Sequence, residues 1–114
     1  MADAAWHAKM VELVRGRDVA EATDALLALT YHEPDRVWLQ GFLLECLEPE
    51  VDRQVRALAV TCVGHVARLD HEVGPALVAR LGQLQEDPVL GGIVEDALID
   101  IGTFAAERSG GEEA

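Results

Sequence analysis

A chain of 114 residues, half of them apolar, can build one hydrophobic core of about five or six short helices but not two independent cores. The apolar set is dominated by Ala, Leu and Val with only 4% aromatics, which favours helices over a sandwich or barrel and excludes an unstructured chain. Twenty-one acids against nine Lys and Arg give a net charge of −12, which excludes nucleic-acid binding through phosphates and makes a basic protein the complementary partner.

No basic stretch precedes an apolar run in "MADAAWHAKMVELV", so no secretory leader is expected and the chain reads as cytoplasmic. Nowhere does an apolar run approach the roughly 18 residues that span a bilayer, and no membrane partner is expected. Cys46 and Cys62 sit among apolar residues of predicted helices and read as buried, reduced thiols, with a disulfide as the alternative.

The first helix is predicted over 3–15, with Trp6, Met10, Leu13 and Val14 on one face and Gly16 as its break. Asp18 is placed to cap the second, with Glu21 three residues on. Its inner face comprises Ala22, Leu26, Leu27 and Leu29, and Pro34 ends it. The third helix, 35–47, is apolar almost all round through Val37, Trp38, Leu39, Phe42, Leu43, Leu44, Cys46 and Leu47. Such a helix is either central and packed on several sides, or laid against a partner. In the second case Tyr31 and Trp38 are the anchors, and His32 belongs to the same candidate surface.

The fourth helix, 52–68, directs Val55, Leu58, Ala59, Cys62, Val63 and Val66 inward. Asp70 is expected to cap a fifth carrying Val73, Leu77, Leu81 and Leu84. A sixth begins between Val89 and Gly92 and is expected to reach Glu107, with Ile93, Ala97, Ile101 and Phe104 inward. The closing "SGGEEA" reads as a disordered tail. No segment reads as a strand, so the fold class is all-α.

Two stretches repeat. "EPEVDRQVRALAVTCVG" superposes on "EDPVLGGIVEDALIDIG" at an offset of 38, matching Val55 to Ile93, Ala59 to Ala97, Val63 to Ile101 and Gly64 to Gly102. Each preceding helix ends on a leucine, Leu47 or Leu84, before an acidic turn with proline. In residues 49–64, Pro49, Asp52, Val55, Arg56, Ala59, Val63 and Gly64 follow a pattern that resembles the HEAT family of helical repeats.

The likeness weakens over 88–102, where Val94 stands in place of the arginine, and is weakest over 18–47. It implies a short right-handed α-solenoid of about three antiparallel helix pairs forming a single domain over 1–108. The repeat units would be roughly 18–48, 49–86 and 87–107, with the first helix as a cap and 109–114 as the tail. In that family the Asp caps the first helix of a repeat, while the small Ala and Gly permit close helix approach. The order "YHEPDRVWLQ", "VRALAVTCVGHVAR", "VEDALIDI" further resembles small single-domain bacterial HEAT-like proteins, some of which are similar to immunity proteins of contact-dependent and other polymorphic toxin systems.

Chemistry-bearing residues are sparse. The sole serine, Ser109, lies in the tail, so no Ser-His-Asp centre is expected. With Lys9 as the only lysine and no glycine-rich phosphate loop, a P-loop is excluded. Gly91 and Gly92 read as a loose helix start rather than an anion site, since Glu86, Asp87 and Glu95 flank them. Cys62 and His65 are three apart, but Cys46, His32 and His71 are scattered, so no metal site and no cofactor is expected.

Thr61, His65 and Arg68 line one edge of the fourth helix, and Asp96, Asp100 and Glu107 line a similar edge of the sixth. The two stripes either pair with each other or contribute to a binding surface. The resulting expectation is a non-catalytic protein-binding module, monomeric or weakly dimeric. Its partner would be a basic protein, as for an immunity-like or antitoxin-like inhibitor of a toxin such as a nuclease. A stand-alone scaffold or adaptor of HEAT type is the alternative.

Overall fold

The computed structural model describes residues 3–105. These form six α-helices and no strand: α1 (Ala4–Val14), α2 (Val19–His32), α3 (Arg36–Glu45), α4 (Arg53–Asp70), α5 (Pro75–Leu84) and α6 (Gly91–Asp100). A π-helical segment, Ile101–Ala105, continues α6. The predicted all-α class is therefore what the chain adopts, and the expected tail at 109–114 lies outside the described residues.

One device starts most of these helices. The Asp3, Asp18 and Asp35 carboxylates accept from the amides of Trp6, Glu21 and Trp38 at 2.8, 3.0 and 3.0 Å, and so begin α1, α2 and α3. Asp52 does the same for α4, accepting from Gln54 at 2.8 Å and Val55 at 3.4 Å. Each bond satisfies amides that have no partner inside the helix, and each places a negative charge at the positive end of the helix dipole. Asp87 accepts from Val89 and Leu90 at 2.8 Å each and shapes the turn before α6.

Asp70 does not cap α5. It ends α4, and His71 follows with a left-handed φ of 56°, its amide returning to the Ala67 carbonyl at 3.1 Å. Pro75 then sets the start of α5 by holding Gly74 extended, and Val73 falls outside the helix.

The chain divides into two compact units, with the boundary inside α4 between Ala59 and Val60. In the first, α1 packs on α2. Its buried side chains include Leu26, Leu29, Leu39, Leu43, Leu47 and Ala59. Each fully buried leucine contributes about 1.5–3 kcal/mol relative to exposure. Thr30 is buried as well, its hydroxyl donating to the Leu26 carbonyl at 2.9 Å. Leu27, expected inward, is 37% exposed, because the α2 face is centred on Ala22, Leu26 and Leu29 and Leu27 falls at its edge.

The third helix buries one face, through Leu39, Phe42 and Leu43, while Arg36, Trp38, Gln40 and Leu44 are half-buried and Val37 is 85% exposed. Its α-helical part stops at Glu45, and Cys46 and Leu47 are buried in the turn beyond.

In the second unit α5 packs on α6. The buried set is Val60, Cys62, Val63, Val66 and Ala67 of α4, with Leu77, Leu81, Leu84, Leu90, Val94 and Ala97. Val60 and Ala67 extend the expected inner stripe of α4, whereas Leu58 lies half-buried at its edge. On α6 the expected Ile93, Ile101 and Phe104 are only half-buried. Ala97 is buried as expected, but its buried neighbours are Leu90 and Val94, a rotation that carries Val94 fully inside. That is why a valine stands where the first copy of the repeat has Arg56: Arg56 reaches the Val51 carbonyl at 3.0 Å from a half-exposed position.

Candidate functional site

The candidate residues fall into three places. The first is the exposed side of α2, where Tyr31 (46% exposed) and His32 join Asp24, Leu27 and Ala28 around a shallow hollow of about 530 Å³. The 3.6-residue turn puts these side chains on one stripe.

The second place surrounds Trp38, which is half-buried within an aromatic stack. The His7 ring lies 4.2 Å from it, tilted, and the Phe42 ring stacks nearly parallel at 4.9 Å. Glu33, buried at the end of α2, holds His7 in place. Its Oε1 accepts from His7 Nδ1 at 2.5 Å, and its Oε2 accepts from the Asp35 amide at 2.9 Å. Arg15 lies over the far end of the stack, 5.6 Å from the Phe42 centroid, and donates to Glu45 at 3.1 Å.

The histidine–carboxylate pair ties α1 to the end of α2, and the ring contact ties α1 to α3. Sequence reasoning missed Glu33 and His7 as partners. The only available signal was a carboxylate just before Pro34 in a chain region otherwise rich in apolar residues.

Beside this stack a cavity of about 450 Å³ opens between the C-terminal ends of α1 and α3 and the starts of α2 and α4. Its floor is apolar, from Val14, Ala22, Phe42, Cys46 and Val55. Of its charged groups, Arg15 and Glu45 pair with each other and Asp52 serves as the α4 cap. Arg17 and Glu50 also line it, both exposed.

The third place is the edge where α4 meets α6. Arg68 donates to Asp100 Oδ2 at 3.1 Å and also to His65 Nδ1. A guanidinium only donates, so His65 accepts at Nδ1 and is neutral there. Burial lowers the His65 pKa first, the Arg68 charge lowers it further, and Asp100 opposes both. The approach is close because α4 carries Gly64, buried at this point, where a Cβ would come within 2.8 Å of Asp100 Oδ2.

The expected facing stripes therefore meet through His65, Arg68 and Asp100. Thr61 and Asp96 remain exposed, and Glu107 lies outside the described residues. Asp96 shares the outer face of α6 with Glu95 and with Ile99, which is 59% exposed.

Gly91 is the first residue of α6, a helix start without a side-chain cap as expected, but its surroundings are tight. Its amide donates to Asp87 O at 2.8 Å, and a Cβ there would sit 2.6 Å from the Gln85 carbonyl oxygen. Both cysteines are buried and outside any disulfide. Among the described residues no cluster of three or more His, Cys, Asp or Glu is arranged to hold a metal ion. Nor is any helix among them long and apolar enough to cross a membrane. No protein-family model matches the chain, and no curated protein or solved structure does.

Proposed function

We propose that the chain is a non-catalytic, cytoplasmic protein-binding module, a short right-handed solenoid of HEAT-like helix pairs whose acidic surface engages a basic protein. Within that class, an immunity-like or antitoxin-like inhibitor of a basic toxin domain, such as a nuclease, suits the charge best. The observation that carries the reading is the outer face of α6. Ile99, more than half exposed, is flanked there by Glu95 and Asp96, while Asp100 is turned toward Arg68. An apolar residue rimmed by like charges resembles the centre and rim of an interface, and the acids would speed encounter with a basic partner. The repeat reading draws support from the places where the pattern demands particular chemistry: Asp52 caps α4, and Ala59 and Gly64 are buried.

The test is capture on the immobilised chain from a lysate of its native host at low and high salt. The expected result is retention of a basic protein that salt elutes and that the double variant Glu95→Lys, Asp96→Lys no longer retains. Inhibition of that protein's toxicity or nuclease activity by the chain would mark an immunity role, whereas retention without inhibition would mark an adaptor. Retention indifferent to salt and to the charge reversal would contradict the electrostatic reading.

A further inference from the structure

The exposed stripe of α2 has an internal polarity. Glu21 and Asp24 lie toward its start, Leu27 and Ala28 at its middle, and Tyr31 and His32 at its end, all exposed except the half-buried Ala28. We propose that this stripe is a two-fold seam with a second copy of the chain, α2 packing antiparallel on the α2 of the other copy across the Leu27–Ala28 turn. A two-fold axis there brings the Asp24 of each copy to the Tyr31–His32 end of the other. One carboxylate thus meets one imidazole twice over. The imidazole N–H donates to a carboxylate, so the polarity of the stripe is complementary to itself.

Ala28 supplies the second argument. A residue this small at the crossing lets the two helix axes approach closely, so that each Leu27 fills the space beside the other copy's Ala28 and Tyr31. The hollow of about 530 Å³ lined by Asp24, Leu27, Ala28, Tyr31 and His32 is the space such side chains would occupy.

Size and charge set the strength. Six residues a side cover far less than the roughly 800 Å² per partner of a stable complex, so the association is reversible. Each copy carries a net charge of −12, and repulsion between copies opposes pairing. Added salt therefore tightens this dimer, whereas it loosens a complex with a basic protein. The seam uses α2 and not α6, so the two proposals stand or fall separately.

Sedimentation velocity on the full chain over a wide concentration range, at low and high salt, tests the seam. The weight-average sedimentation coefficient is expected to rise with concentration, and to rise more at high salt. Leu27→Asp, at a position exposed enough to leave the fold intact by circular dichroism, is expected to weaken dimerisation by about tenfold or more, since it closes a charge into the seam. Asp24→His should weaken it, and adding His32→Asp should restore it. Ala28→Cys should yield a covalent dimer under mild oxidation, whereas Ala20→Cys, two turns earlier, should not. A chain that stays monomeric at every concentration, a dimer untouched by Leu27→Asp, a charge swap that fails to restore pairing, or equal cross-linking at both cysteine positions would each overturn the proposal.

Discussion

His65 accepts a hydrogen bond from Arg68 only while its Nδ1 carries no proton, and Arg68 in turn holds Asp100. Protonating the imidazole removes that acceptor and sets a second cation beside the guanidinium. Because the folded-state pKa of His65 lies below the ordinary 6.5, the unfolded chain binds the proton more readily. The stability His65 contributes is thus complete above 6.5 and is lost as pH falls from there through its lowered folded pKa. Urea midpoints at neutral and mildly acidic pH should show a larger acid loss in the native chain than in His65→Gln. An equal loss in both would remove His65 from the account.

The two aspartates of α6 should differ in sign. Asp100→Asn takes away the partner of Arg68, an exposed pair worth about 0–1 kcal/mol. Asp96→Asn relieves a like-charge neighbour one turn away and should gain a few tenths of a kcal/mol. Thermal unfolding in which both changes destabilise equally would place Asp96 in an internal pair as well. That Arg68 would meet an acid of the sixth helix was legible from the two edge stripes. Which acid it meets depends on the glycine gap at Gly64, and spacing alone does not encode that.

Among the elements, helix positions followed from apolar periodicity and turn residues, because those signals are local. The starts at Asp18, Asp35 and Asp52 are read directly from a side chain that accepts two or three residues downstream. The α4–α5 connection was misread for an instructive reason. Asp70 is as good a cap by type as the others, but Pro75 fixes a later start, and a left-handed His71 ends α4 one residue after Asp70. On α6 the repeat register pointed to Ile93, whereas tertiary packing chose Val94.

The helix also changes winding at Ile101. His71 lies against that segment, its Nδ1 3.2 Å from the Phe104 carbonyl and its ring edge-on to the Phe104 ring. Gly91 belongs to this scale too. Because the Gln85 carbonyl is backbone and cannot swing aside, Gly91→Ala should shift the α5–α6 turn and cost about 1–3 kcal/mol. Gly92→Ala has open space and should be neutral or stabilising. A chemical denaturation series in which the two alanines behave alike would contradict the close approach.

For the whole molecule, the charge of −12 has more than one origin. Asp3, Asp18, Asp35, Asp52 and Asp87 are committed to helix starts and the turn before α6, and Glu33 is buried against His7. Among the described residues the acids of the outer α6 face have no such role, and they flank the exposed Ile99, which is why the binding proposal is placed there and not on the net charge alone. Composition made the acidity legible. It did not distinguish acids that build the fold from acids left facing solvent, because that depends on which backbone amides each carboxylate meets.

The most direct measurement is the association rate of the chain with the basic protein it captures, taken by stopped flow across a range of ionic strength. The rate is expected to fall steeply with salt, and for Glu95→Gln with Asp96→Asn to be slower with a shallower salt dependence. A rate indifferent both to salt and to the loss of these two carboxylates would contradict the binding proposal.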